Sequence, residues 1–399
     1  MNRWLYPLFT IKRYIEQLIM FPFVSAGKRY AKQHPLPEEY DLFFFFPDYH
    51  IGGAERVNAE IVNAFPDKKL IVFFTKKSQN EGMLHFFERP NITVRDIHSH
   101  TDNKSHYWQN FFWRGVVAAY INHQNKSPKV FIGQCNFGYK LTPHIRRDIA
   151  IIDLIHVHED KFLWVWAPFM RFLQKRVVIG DVFKTEIFKK VHEDKGIPLS
   201  YLEKYTVIKN CLEYIPEKLI RKDFQLPLKI YYAGRGGHQK RLWILFKVID
   251  RCKELNLPVR FSLAGSFEEE IPEHLKNYFI GSLIGGEAVY DFHKEHDILL
   301  MTSAFEGFPV VMMEAMAFGS PMIVPAVDAI PENIQHEKNG YLIQEVVDEE
   351  KMIAEIIHIL QGILSQPQML SSIAEHAYQS VKKEFSKEKF QKGYRALLA

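Results

Sequence analysis

Two carboxylates eight residues apart, Glu306 and Glu314, stand in the stretch Ser303–Gly319, SAFEGFPVVMMEAMAFG. The run before it, Asp297–Thr302, reads as a buried parallel strand. Gly307 and Pro309 break the strand pattern. Val310–Phe318 then reads as a short apolar helix, with Gly319 as its stop and Pro321 just beyond. A strand–loop–helix unit of this kind offers backbone N–H groups and the positive end of a helix at the C-terminal edge of a sheet. Phosphorylated ligands bind open α/β folds there. A carboxylate in that place does not suit the phosphate, itself an anion; it suits neutral hydroxyls, as on a ribose or a hexose. A second unit of the same kind lies near the start of the chain. The apolar run Asp41–Phe46 is followed by Gly52-Gly53 and a helix over Ala54–Phe65, with Val57, Ile61, Val62 and Phe65 on its apolar side. Two glycines let a backbone come close to a ligand.

The string E-G-F-P-x-x-x-x-E from Glu306 to Glu314, with Ser303 before it and Ala315, Met316, Ala317 and Gly319 after it, resembles the E-x7-E signature of family 4 retaining glycosyltransferases. Three other segments resemble the same family. Gly52-Gly53-Ala54-Glu55 fits its early G-G-A-E. The run from Ala233 to Lys240 fits its G-R…K segment, with Arg235 and Lys240 as the cations. Ala329-Ile330-Pro331-Glu332 followed by Asn339-Gly340 fits G-x-P-E…N-G. The likeness covers residues 41–345 and is densest in the C-terminal half. Arg241 stands where glycine is usual after the lysine, and Ala329 replaces the common glycine.

The resemblance implies an α/β protein of the GT-B type, two Rossmann-like parallel-sheet domains facing across a cleft. It implies a donor site for a nucleotide diphosphosugar. Arg235 would bind the diphosphate as a fork and Lys240 as a point charge, helped by the N–H groups at Phe308–Val311. These contacts strengthen as the leaving group gains charge. Glu314 would accept the ribose hydroxyls. Glu306, with the backbone of Gly307, Phe308, Pro309 and Val310, would hold the transferred sugar. Gly52 and Gly53 would line the donor from the first domain, and His158 would touch the sugar. His156 lies two residues away on the same side of a strand, so both histidines stay candidates. The family's chemistry is retention through front-face displacement, so neither glutamate is assigned as a nucleophile. With two cations in place and no D-x-D motif, no metal and no cofactor are expected.

Strands and helices alternate along the chain, which implies parallel sheets with right-handed crossovers. The boundaries expected are a basic segment 1–37, an N-terminal domain 38–204 on the acceptor side, a donor domain 205–375 and a C-terminal helix 376–399 that crosses back to the first domain. The second domain is read as opening with a strand at Tyr205–Lys209. No G-x-G-x-x-G follows the first strand, which excludes a dinucleotide-dependent dehydrogenase.

The 399 residues, 47% hydrophobic, suffice for two cores. The net charge of +4 is uneven: residues 1–37 carry +5 and the remainder −1, so the body does not read as a nucleic-acid binder. Cys135, Cys211 and Cys252 form no C-x-x-C pattern, which suits a reducing compartment. No apolar run reaches the length of a membrane span, and the chain reads as cytoplasmic. Trp4, Leu8, Ile11, Ile15, Leu18 and Ile19 follow helical spacing up to Pro22, with Lys12, Arg13, Lys28, Arg29 and Lys32 nearby. Such a helix either lies on an anionic membrane surface or packs on its own protein. The function expected is transfer of a hexose-type sugar, from a UDP-sugar before a GDP-sugar, to a glycan or lipid-linked acceptor. The competing readings are a nucleotide-sugar epimerase, which turns over donor without acceptor, and a non-catalytic nucleotide-sugar-binding subunit.

Overall fold

The computed structural model describes residues 5–103, 105–156, 162–283 and 286–398. The chain divides into two units. One is Met1–Ile208 together with Gln391–Ala399, and the other is Lys209–Phe390.

The first unit is built on seven parallel strands: β1 (Leu42–Phe46), β2 (Leu70–Phe74), β3 (Ile92–Asp96), β4 (Lys129–Gly133), β5 (Ile151–Ile155), β6 (Lys175–Val178) and β7 (Tyr205–Val207). Their order in the sheet is β3-β2-β1-β4-β5-β6-β7. The strands are continuous apolar runs because both faces of the sheet are covered. Phe43, Phe44, Phe45 and Phe46 are all buried, and Phe45 stacks on Phe73 with ring centres 5.2 Å apart. One charge in this core is answered by another. Asp153 in β5 accepts bonds from Arg176 in β6 at 2.6–3.1 Å and from the Tyr139 hydroxyl at 2.8 Å, while the Arg176 guanidinium lies 4.2 Å from the Trp166 ring centre.

Two sequence expectations change here. Tyr205–Val207 does not open the second unit. It pairs with β6 as the edge of the first sheet, because Tyr205 is anchored to Arg176 and His192 through its hydroxyl. The expected boundary at residue 205 therefore falls inside the first sheet. Pro22 does not end the N-terminal helix, which runs as α1 from Leu5 to Gln33. The carbonyl that Pro22 leaves without a donor belongs to Leu18, on the exposed side of α1, where water can take its place.

The second unit holds six parallel strands: β8 (Leu228–Arg235), β9 (Val259–Ser266), β10 (Phe279–Gly281), β11 (Ile298–Leu300), β12 (Met322–Pro325) and β13 (Tyr341–Ile343), in the order β10-β9-β8-β11-β12-β13. One face packs on the helices Leu242–Glu254 and Glu349–Ser365, through Ile244, Leu245, Val248, Ile356 and Leu360. The other packs on the helix Val310–Ala317 through Met312, Met313 and Met316. In both sheets the chain leaves the first strand to one side and returns on the other. The switch lies between β1 and β4 in the first unit and between β8 and β11 in the second. Open α/β sheets bind their ligands outside the carboxyl ends of the strands at such a point.

Candidate functional site

The second unit brings most of the expected residues to its switch point. β8 ends at Arg235 and runs into the loop 236–241. β11 ends at Leu300 and runs into the loop 301–309. The two loops are laced together. Arg235 donates to Gln239 Oε1 at 2.5 Å, and Gln239 donates to the Phe305 carbonyl at 2.8 Å. The Ala304 amide donates back to the Gln239 carbonyl at 2.8 Å. The Lys240 ammonium bonds to Glu306 Oε1, and both side chains are buried. A buried charge is tolerated when it is paired, and here each member supplies the other's partner. Lysine carries three N–H donors, so this contact leaves capacity for a further acceptor.

Arg241 takes the position where glycine is usual, and its backbone shows why glycine fits there: φ and ψ are both 48°, the left-handed region. The arginine sits there at a cost of about 1–2 kcal/mol. Its guanidinium offsets this by donating to the carbonyls of Thr302 (2.8 Å), Ser303 (3.0 Å) and Val346 (2.8 Å). The departure from the family pattern thus ties the β8 loop to the β11 loop by side chain.

Glu306 is fixed by its backbone as well. Its amide donates to Asp328 Oδ2 at 2.8 Å. Burial raises the Asp328 carboxyl above its usual range, the Glu306 amide offsets part of this, and the Glu306 charge adds to the rise. Phe308 stacks on Phe385 with 4.8 Å between ring centres, which pins the loop just before the helix. The helix Val310–Ala317 follows Pro309. The amides of Met312 and Met313 turn back onto the Pro309 carbonyl, while Val310 and Val311 are the first amides of the helix and have no intrahelical partner. Glu314 is buried in the next turn, 3.5 Å from His293 Nε2, and His293 Nδ1 lies 2.6 Å from the Tyr231 hydroxyl. Burial pushes that hydroxyl above its ordinary pKa, so it stays protonated as a donor toward His293.

In the first unit, Gly52 caps α2 (Gly53–Asn63) at the carboxyl end of β1. Around this turn Asp48, His50 and Glu55 place ligand-type atoms within 4.8 Å of one another. His50 Nδ1 bonds to Asp48, and its Nε2 lies 3.8 Å from Glu55. The group suits a divalent ion, and equally an imidazole held between two carboxylates. His158 lies outside the described residues. His156 is half-buried just beyond β5 with its Nε2 enclosed, its backbone amide 3.4 Å from Gln134 Oε1. Burial pushes its imidazole down to about 4, so it is neutral at pH 7.

Sequence reading missed Gln239, Asp328, His293 and Tyr231. Each acts through a contact across 22–66 positions of chain, which no local spacing signals. Asp328 had the best signal, standing directly before the Ala329–Glu332 segment. A pocket of about 510 Å³ in the same unit is lined by Leu212, Pro216, Lys382 and Ser386 among others, and by none of the motif residues.

Residues 227–362 match the family model described as glycosyl transferases group 1. The chain is 36% identical over 101 residues to N-acetyl-alpha-D-glucosaminyl L-malate synthase of Bacillus anthracis, 25% of each chain. It is 29% identical over 327 residues to trehalose synthase of Pyrococcus horikoshii, covering 71% of this chain and 74% of that one. For the first curated relatives the matched stretch covers only 30%, 25% and 45% of their length. In structure, Anabaena Alr3699/HepE in complex with UDP aligns at a TM-score of 0.69 with 17% identity, over 90% of this chain and 99% of that one. The two Rossmann-like parallel sheets thus share the GT-B fold of that structure, and the match to the group 1 glycosyl transferases lies in the second unit, over residues 227–362.

Proposed function

We propose that the protein transfers a hexose-type sugar, with retention, from a nucleotide diphosphosugar to a glycan or lipid-linked acceptor in surface-glycan assembly. The observation that carries this reading is the joining of Arg235, Lys240, Glu306 and Glu314 at the carboxyl edge of β8 and β11. Two cations and the first amides of a helix suit a diphosphate. Two buried carboxylates suit hydroxyls. Glu314 accepts the ribose hydroxyls, and Glu306 with the Gly307–Val310 backbone holds the sugar. Arg235 and Lys240 stabilise the charge that grows on the leaving diphosphate, which is where transition-state stabilisation is needed. His158 and Gly52-Gly53 stay in this reading as further donor contacts implied by the family resemblance. Uridine is the favoured base; the UDP bound to HepE supports it. The three cysteines are buried thiols and not disulfides, which supports a reducing, cytoplasmic setting.

The test is a panel of nucleotide sugars scored first for thermal stabilisation and then for transfer. A bound donor must raise the melting temperature. We expect a UDP-sugar to stabilise, turnover to require acceptor, the product to keep the donor's anomeric configuration, and transfer to survive chelation by EDTA. Turnover of donor without acceptor makes the protein an epimerase. Stabilisation with no turnover makes it a binding subunit. Strict dependence on added metal rejects the metal-free mechanism.

A further inference from the structure

α1 is mounted with its apolar side outward. Arg13, Met20, Val24, Gly27 and Ala31 face inward and are buried, largely against the helix Tyr107–Asn122. The two helices meet at glycines. A Cβ on Gly27 would lie 2.0 Å from the Phe112 carbonyl oxygen, and one on Gly115 would lie 2.0 Å from that of Val24. Contact this close fixes the roll of α1, so it cannot turn to bury its other side. That other side carries Leu8, Ile11, Ile15, Leu18 and Ile19, each 51–68% exposed. Trp4 lies outside the described residues.

The charges of α1 are arranged in one sense. Lys12, Lys28, Arg29 and Lys32 are exposed. Its one acid, Glu16, is turned in between Arg13 and Arg114. Aromatic side chains stand nearby: Trp108 is exposed with its ring 6.4 Å from that of Phe23, and Trp164 is half-exposed. A pocket of about 280 Å³ opens here, lined by Phe9, Lys12, Arg13 and Trp164. The Arg13 guanidinium lies 5.2 Å from the centre of the Trp164 ring. Behind it lie the buried guanidinium of Arg114 and the buried amine of Lys140. In this cluster the cations outnumber the single carboxylate.

We propose that the outer face of α1 is a docking surface for an anionic lipid bilayer, with the pocket beside Lys12, Arg13 and Trp164 taking a lipid phosphate. Leucine and isoleucine enter the acyl boundary, tryptophan and tyrosine sit at the headgroup level, and the cations meet the anionic lipid. At 29 residues and 1.5 Å per residue, α1 is about 43 Å long, enough to lie along a surface over eight turns. No helix among the described residues is long and apolar enough to cross a membrane. A second copy of the chain is disfavoured as the occupant, because two such faces would bring like charges together. The proposal gives the lipid-linked acceptor of the function above a place to be met. It rests on residues outside the Glu306 site, so the two readings fail separately.

The full chain should float with vesicles of phosphatidylcholine containing about 30 mol% phosphatidylglycerol, and much less with phosphatidylcholine alone. Raising salt from about 0.1 to about 0.5 M should weaken binding at least tenfold. Ile15→Ser with Ile19→Ser, and separately Lys28→Glu with Arg29→Glu, should each weaken it at least tenfold. Both pairs are exposed, so the melting temperature and its rise with nucleotide sugar should not change. Lys12→Glu should abolish the preference for anionic over neutral vesicles. Failure of the native chain to bind anionic vesicles, or binding that ignores these substitutions, overturns the proposal. So does a concentration-dependent dimer that Ile15→Ser with Ile19→Ser dissolves.

Discussion

At the scale of single residues, Lys240 and Glu306 depend on each other. Removing one leaves a buried, uncompensated charge, so Lys240→Ala should cost both donor turnover and stability. Arg235 is exposed and, among the described residues, braced through Gln239, so Arg235→Ala should cost turnover alone. For Arg235, Lys240 and Glu314 we expect alanine to lower turnover by about 2–4 kcal/mol of transition-state stabilisation. Single-turnover rates with the stabilising nucleotide sugar measure this, and wild-type rates in all three would remove them from the site. Lys140 gives a pH signature. Burial, then Arg114 and Arg13, push its ammonium from 10.5 down to about 7. Between those values the unfolded chain binds the proton and the folded chain does not, so stability rises with pH across that window. Below about 7 the whole cost of the buried charge is present. Lys140→Met should therefore raise the melting temperature at neutral pH and flatten its rise toward pH 10.

At the scale of elements, the helix Val310–Ala317 is stopped by backbone geometry. The Gly319 amide bonds to the Met316 carbonyl at 3.4 Å and that of Ser320 to Ala315 at 2.8 Å, with Gly319 at φ 69°. This is the left-handed helix end that glycine takes without strain. A Cβ there would also lie 2.6 Å from the Ile220 carbonyl oxygen. Gly319→Ala should destabilise the unit by more than about 1 kcal/mol in denaturant unfolding. In the first sheet, Asp153→Ala strands the buried Arg176 and should cost about 3–5 kcal/mol. Asp153→Ala with Arg176→Met should recover part of that loss, since replacing both charges removes the orphan.

At the scale of the whole molecule, the last residues of the chain return to the first unit. Tyr394 packs edge-on against Phe131 with 5.9 Å between ring centres, and Arg395 donates to the Ala64 carbonyl at 2.6 Å. Deleting Gln391–Ala399 should therefore lower hydrogen-exchange protection in β1 and β4 and leave β8 and β11 unchanged. Equal loss in both sheets would mean that the terminal residues support the second unit as well.

The sequence alone determined what depends on nearest neighbours in the chain. Apolar runs marked the strands that carry the two motifs: Asp41–Phe46 was expected where Leu42–Phe46 forms, and Asp297–Thr302 where Ile298–Leu300 forms. Glu306, Glu314, Arg235 and Lys240 were legible because loops at strand ends carry their chemistry in short, dense strings. Tertiary structure decided what depends on partners far along the chain. Tyr205–Val207 is an edge strand of the first sheet only because Arg176 and His192 hold its tyrosine. Asp328 reaches Glu306 from a turn and His293 reaches Glu314 from the helix Gly286–Glu295, backed by Tyr231 in β8, and spacing cannot connect them. The same holds for α1. Its periodicity announced an amphipathic helix, but which face turns inward was set by Gly27 and Gly115, where two backbones approach too closely for any side chain between them.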